Sequence, residues 1–184
     1  IMIDRCGAAA RDIRLPRQLE EVDGLIMPGG ESTTMTKLMI EYGFVDEVRR
    51  FCASGRPVFG TCAGAILLAD RVRENGRGLL GVIDIAVVRN AYGRQLASRE
   101  AALTIAALDN GPFRAIFIRA PMIDEAGPPV EILSRYQGAP VLVRQNNILV
   151  ATFHPELTDD ARVHEYFLSM NGRDKGLQQH DSFP

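Results

Sequence analysis

Val58-Phe59-Gly60-Thr61-Cys62-Ala63-Gly64-Ala65 is the stretch on which the reading of this chain turns. An apolar run enters a tight turn, and small helix-forming residues follow. The pattern Gly-x-Cys-x-Gly is the thiol counterpart of the Gly-x-Ser-x-Gly nucleophile elbow, a sharp strand-to-helix turn that tolerates only small neighbours. It places Cys62 at a helix start, where the partial positive charge favours thiolate. The other two cysteines, Cys6 and Cys52, have no such context and read as structural thiols.

Upstream of the elbow, Ile1–Ala10 reads as the tail of a helix closing at Gly7, and Ile13–Leu15 as a short strand stopped by Pro16. Val22–Met27 is a stronger strand, ended by Pro28-Gly29-Gly30. Ser32 is placed to cap a helix carrying Met35, Leu38 and Met39, and a second helix over Val45–Ala53 ends at Gly55. Pro57–Gly60 is a buried strand and Ala63–Ala69 the start of a buried helix. Downstream, Leu80–Val88, Ala102–Ile105, Ala115–Ile118, Glu131–Leu133, Val141–Arg144 and Ile148–Phe153 read as strands. The last two are joined by the turn composition Gln145-Asn146-Asn147. Arg162–Met170 is a closing helix. Elements alternate early and strands dominate later, which gives an α/β fold with a mainly parallel sheet and an antiparallel extension.

A nucleophilic cysteine needs a base, and the base needs an orienting group. Of three histidines, His180 lies in a polar tail and His164 within the last helix, where a surface position is expected. His154 ends an apolar strand in Phe153-His154-Pro155-Glu156, and residues two apart in extended chain point the same way. Cys62, His154 and Glu156 therefore form a candidate triad. Gly29 and Gly30, at a strand end before a helix, allow backbone N–H groups to line an oxyanion hole together with that of Ala63.

Composition sets the outer bounds. With 184 residues the chain is expected to hold roughly one domain, over residues 1–171, followed by a polar tail at 172–184. Lys and Arg number 21 and Asp and Glu 23, a net charge of −2, which argues against a nucleic-acid binder. The longest apolar run, Leu79–Val88, is broken by Asp84 and is far short of a membrane span of ~18 residues. Three cysteines in a chain this long point to a reducing, cytoplasmic setting. No cysteine and histidine spacing suggests a metal site.

Taken together, the elbow, the His-Pro-Glu segment and the Gly-Gly turn resemble the class I (triad) glutamine amidotransferases. Pro28-Gly29-Gly30-Glu31-Ser32-Thr33-Thr34, Arg89-Asn90-Ala91-Tyr92-Gly93-Arg94-Gln95, Phe117-Ile118-Arg119-Ala120-Pro121 and Phe153-His154-Pro155-Glu156-Leu157-Thr158 narrow the resemblance. They are similar to the glutaminase subunit of pyridoxal 5'-phosphate synthase (the PdxT/SNO family), over residues from about 1 to about 170. The resemblance implies a flavodoxin-like three-layer fold, with Cys62 as nucleophile, His154 as base and then acid, and Glu156 as orienter. It implies glutamine contacts from Gly30, Glu31, Ser32, Arg89, Ile118 and Arg119, no cofactor, and a synthase partner of the PdxS/SNZ type in a large hetero-oligomer.

Amidotransferases serving another synthase, such as imidazole glycerol phosphate synthase, remain an alternative, as do a cysteine hydrolase and an inactive binding module. Family members start with an apolar strand and a Gly-Leu-Gln-Gly-type loop, and the match here starts inside the helix that follows. The expectation is therefore a slot about two strand spacings wide, near 9–10 Å, between Ile13–Leu15 and Val22–Met27.

Overall fold

The computed structural model describes residues 2–89 and 98–171. Asn90 to Gln95 of the motif beginning at Arg89, and the tail at 172–184, lie outside the described residues. The chain begins with helix α1 (Met2–Arg5), closed by Gly7 at φ 76°, and a 3-10 turn over Pro16–Glu21 leads to strand β1 (Leu25–Met27). Helices α2 (Ser32–Glu41) and α3 (Phe44–Ala53), strand β2 (Val58–Thr61) and helix α4 (Ala63–Leu68) follow. Strands β3 (Ala69–Val72), β4 (Gly76–Arg77), β5 (Ile83–Val88), β6 (Ser98–Leu103), β7 (Phe113–Ile118) and β8 (Met122–Ala126) come next. Strands β9 (Glu131–Tyr136), β10 (Ala139–Gln145) and β11 (Ile148–Ala151) and helix α5 (Arg162–Ser169) complete the described chain.

The main sheet runs β1-β2-β11-β10-β9, parallel across its first three strands and antiparallel across the last two. This is the expected parallel core with an antiparallel extension. A second sheet, β4-β3-β5-β8, and the pair β6-β7 are built beside it. Three layers result. On one face α2, α3 and α4 bring Met35, Val48, Phe51 and Leu67 onto Val58, Val143 and Val150. On the other, α1, α5 and the β6-β7 pair bring Ile3, Val163, Phe167 and Phe113 onto Phe59, Leu149 and Ala151. Each fully buried side chain of this kind contributes about 1.5–3 kcal/mol. Helix α3 shows how the pattern does this: Val48, Phe51 and Cys52, at helical spacing, are buried while Asp46, Glu47 and Arg50 stay outside.

The β10-β11 hairpin forms as expected, with Asn146 at φ 53° in its turn. Asn147 fastens that turn to the elbow strand: its side-chain N–H donates to the carbonyls of Cys52 and Arg56, and its carbonyl accepts from Val58 N. No helix among the described residues is long and apolar enough to cross a membrane.

Several expectations fail for identifiable reasons. Ile13–Leu15 is not a strand: residues 8–15 are irregular, because a strand is defined by its ladder and none of the described strands lies beside it. Neither β1 nor any later strand closes against it. A groove of about 1080 Å³ runs between that segment and the free edge of β1, lined by Ile13, Ile26, Met39, Phe44 and Phe167 among others. The expected strand at Ala102–Ile105 is shifted to Ser98–Leu103, where it pairs with β7 from Ser98↔Ile118 to Leu103↔Phe113. Ala69 leaves the helix to start β3, which pairs with β5. Helix α2 is capped by Glu31 rather than Ser32: the Glu31 carboxylate accepts from the N–H groups of Thr33 and Thr34.

Candidate active site

The backbone of Cys62 has φ 49° and ψ −102°, the strained turn that an elbow requires. Its N–H still belongs to the sheet, donating to the Ala151 carbonyl at 2.9 Å, while its carbonyl already accepts from Ala65 N of α4 at 3.1 Å. The nucleophile position is thus fixed between strand and helix. Gly64 makes the turn possible, since a Cβ there would lie 2.0 Å from the Met27 carbonyl oxygen. The Cys62 thiol, in a residue only 7% exposed, meets the Ile118 carbonyl at 3.7 Å.

His154 lies three residues beyond the end of β11. Its N–H donates to the Ile116 carbonyl at 2.8 Å, and Pro155 starts a 3-10 turn, Pro155–Leu157, that folds Glu156 back. His154 Nδ1 and Glu156 Oε1 are 2.8 Å apart, and the imidazole also hydrogen-bonds Cys62. The Cys62 and Glu156 bonds raise the His154 pKa from 6.5 to about 10, against the effect of burial. His154 is therefore protonated at neutral pH. Burial is the largest single effect on the Glu156 carboxyl and pushes it upward, but the hydrogen bond from His154, a backbone hydrogen bond and the nearby imidazole charge together hold the group below its usual value. The structure brings together the three residues of the expected triad.

The Gly29-Gly30 turn packs against this pair. A Cβ on Gly29 would lie 2.4 Å from His154 Cε1 and 3.4 Å from Cys62 Cβ. Close approach of bare backbone brings Gly29 beside the nucleophile, while Gly30 faces Met35, and Ala63 follows the nucleophile at the start of α4.

Of the expected glutamine contacts, Glu31, Ser32 and Arg89 meet at the start of α2. Arg89 Nη2 donates to Ser32 Oγ at 3.0 Å and to Thr33 Oγ1 at 2.7 Å. The Thr34 hydroxyl and the Thr33 and Thr34 amides hold Glu31 at a pKa of about 2. A fixed anion and a fixed cation thus flank one helix start, an arrangement suited to a ligand bearing both charges. Ile118 and Arg119 lie on the far side of the thiol, both exposed, with Arg119 at φ 45°. If Arg89 holds a substrate carboxylate, Arg89→Met raises the glutamine KM by about tenfold or more with a smaller change in kcat. Steady-state kinetics check this, and an unchanged KM removes Arg89 from the binding set.

Two features escaped the sequence. One is the direct contact of the Gly29 backbone with His154, which no local pattern encodes. The other is His164, expected on a helix surface and found 3% exposed. Its signal was present in the helical spacing of Val163, His164 and Phe167, which are the buried residues of α5. Cys52 is buried, and burial raises its thiol to about 11; burial also raises that of Cys6. Cys52 lies in the core, as a structural thiol is expected to, while Cys6 is half-buried.

An α/β layer architecture with a cysteine on a strand-to-helix elbow, backed by a histidine and a carboxylate from the neighbouring strand end, defines a thiol-nucleophile class of site. The chain belongs to the SNO glutamine amidotransferase family, whose model matches residues 1–172. It is 53% identical over 168 residues to "Pyridoxal 5'-phosphate synthase subunit PdxT" of Thermotoga maritima, covering 91% of this chain and 89% of that one. The protein of the same description from Bacillus licheniformis is 52% identical over 168 residues, covering 91% and 85%. A crystal structure described as a glutamine amidotransferase is 47% identical and superposes with a TM-score of 0.88 over 93% of this chain and 90% of that one. PurLQS from Thermotoga maritima, 15% identical over 91% of this chain and 89% of that one, shares the fold with a TM-score of 0.67.

Proposed function

We propose that this chain hydrolyses L-glutamine to L-glutamate and ammonia, and supplies the ammonia to the synthase subunit that makes pyridoxal 5'-phosphate in vitamin B6 biosynthesis. The observation that carries the reading is the chain of contacts from the Cys62 thiol through His154 to Glu156 on the elbow. The half-identical relatives described as pyridoxal 5'-phosphate synthase subunits support the choice of partner.

The residues divide the work as follows. With His154 protonated and Cys62 as thiolate, the sulfur attacks the side-chain carboxamide carbon of glutamine. Amides from the Gly29-Gly30 turn and Ala63 hold the negative oxygen that develops. Imidazolium His154 gives its proton to the departing nitrogen, the C–N bond breaks, and ammonia leaves a γ-glutamyl thioester on Cys62. Neutral His154 then takes a proton from water, whose oxygen attacks the thioester; glutamate leaves and the thiolate–imidazolium pair returns. Glu156 keeps the ring oriented throughout. Glu31 and Arg89 hold the α-ammonium and α-carboxylate, and Ser32, Ile118 and Arg119 complete the substrate site. The chain acts in a hetero-oligomer with the synthase, in the cytoplasm.

Ammonia release from free glutamine, measured with and without the synthase subunit, tests this. Turnover is expected to be weak alone and to rise on adding that subunit. Glycine lets the Gly29-Gly30 peptide change orientation at little steric cost, so docking can complete the oxyanion site. No ammonia in either state overturns the reading, and activation only by an unrelated synthase overturns the partner.

A further inference from the structure

Thr33 touches both charged groups at the start of α2, and the hydrolysis above gives its side chain no task. Its N–H donates to the Glu31 carboxylate at 2.9 Å, and its hydroxyl accepts from Arg89 Nη2 at 2.7 Å. The main chain of this residue thus holds the anion, while its side chain holds the cation. The hydroxyl also acts on Glu31, as the least of the groups that lower that carboxyl.

Arg89 arrives from a different part of the fold. It follows β5 of the second sheet, which ends at Val88. Its N–H donates to Glu74 Oε1 at 2.9 Å, in the turn between β3 and β4. With the Asn75 amide oriented to satisfy both of its atoms, its oxygen accepts from Arg89 Nη1 at 3.3 Å and its nitrogen donates to the Glu74 carbonyl at 3.2 Å. That turn is itself tied down. Arg73 N donates to the Val87 carbonyl at 2.9 Å, and the Arg73 guanidinium meets Asp124 on β8 at 2.6 Å. The second sheet therefore fixes the root of Arg89, and the guanidinium spans from there to α2. Ser32 Oγ accepts from it at 3.0 Å, so the Thr33 hydroxyl makes the shortest of these guanidinium contacts.

We propose that Thr33 is a positioning residue for the substrate carboxylate: its hydroxyl presets the Arg89 guanidinium at the start of α2. The proposal rests on the reading of Arg89 as the carboxylate contact. A long arginine side chain loses rotamer freedom when it grips a ligand, and a partner that holds it beforehand removes that cost from the binding step. A hydrogen bond from a charged donor is of the strong kind, so one hydroxyl suffices to bias the side chain. Thr33 is exposed and lies in the first turn of α2, so its replacement leaves the core untouched.

The test uses Thr33→Val, which keeps the shape and removes the hydroxyl, and Thr33→Ser, which keeps the hydroxyl, each in complex with the synthase subunit. Thr33→Val is expected to raise the glutamine KM by about threefold or more, with kcat within about twofold, and Thr33→Ser to keep the KM of the unmodified chain. In an Arg89→Met background, Thr33→Val is expected to add no further rise, because its effect runs through the guanidinium. An unchanged KM in Thr33→Val, or an equal rise in the Arg89→Met background, overturns the proposal. A second arm needs no turnover. In crystals of Thr33→Val the Arg89 guanidinium is expected to leave its place beside Ser32, and an unmoved guanidinium overturns the proposal. Should the unmodified complex release no ammonia, the glutaminase reading falls, while the crystals still decide whether the Thr33 hydroxyl holds Arg89.

Discussion

Cys62→Ala is expected to abolish glutamine hydrolysis while leaving the fold intact, with a loss on the order of 10³-fold or more. The size follows from the site. Among the described residues Cys62 alone combines the elbow geometry, at φ 49°, with hydrogen bonding to His154. The structural change is small. Removing one sulfur leaves the ladder bond from residue 62 N to the Ala151 carbonyl in place. Steady-state ammonia release and a thermal melt read the two effects separately. Cys6→Ala and Cys52→Ala provide the contrast, since both thiols are raised by burial and lie outside the site. Their activities are expected to stay within about twofold of the unmodified chain. Iodoacetamide is expected to spare Cys52, whose thiol burial raises to about 11 and so keeps in the unreactive protonated form. Turnover by the Cys62→Ala protein near the normal rate would end the nucleophile assignment.

What was legible in the sequence was whatever local chemistry decides. The elbow is a steric requirement for glycine and a nucleophile at fixed spacing, so Gly60 to Gly64 announced both the turn and its function. Helix α3 and the β10-β11 hairpin were equally plain, because period and turn residues fix them. What was not legible depends on partners. Ile13–Leu15 has strand composition, but its irregular backbone reflects the lack of a described neighbour to pair with. Strand β8 was missed for the opposite reason. Asp124 and Glu125 spoil its apolar alternation, yet Arg71 and Arg73 reach both from β3 and its following turn. Ile123, fully buried, and the half-buried Ala126 anchor that strand to the core. The helix cap was misplaced by one residue because Ser32 is the usual capping type and Glu is not; here the longer Glu31 carboxylate reaches two amides at once. The triad was legible because its members sit at strand ends, where the fold converges. The backbone packed on the imidazole, at Gly29, comes from a distant segment and carries no motif.

Gly29→Ala is expected to lower kcat by about 100-fold while changing stability little, the second-largest effect foreseen for this chain. The cause is contact, not backbone conformation, since Gly29 is not among the described glycines with positive φ. A methyl group at residue 29 would lie 2.4 Å from His154 Cε1 and 3.1 Å from Nδ1, well inside van der Waals separation. Something must yield, and the ring has little freedom. It is tied to Glu156 at 2.8 Å on one side and to Cys62 on the other, and its backbone N–H is bonded to the Ile116 carbonyl. Displacement by about an ångström therefore breaks either the orienting bond or the bond to the thiol, and a misplacement of that size typically costs about 10²-fold. Glu31 and Arg89, the proposed glutamine contacts, are not touched by the methyl group, so KM is expected to hold within about threefold. Gly30→Ala is the control. Its added carbon would meet the Met35 sulfur at 3.1 Å, the yielding end of a flexible side chain, and the residue 30 amide is retained. A drop in kcat confined to Gly29→Ala, with the His154 imidazole signals shifted in NMR, supports steric alignment of the base by bare backbone. Equal and modest effects at both glycines would show that the imidazole relaxes around the methyl group, and that the turn serves only as a source of amides.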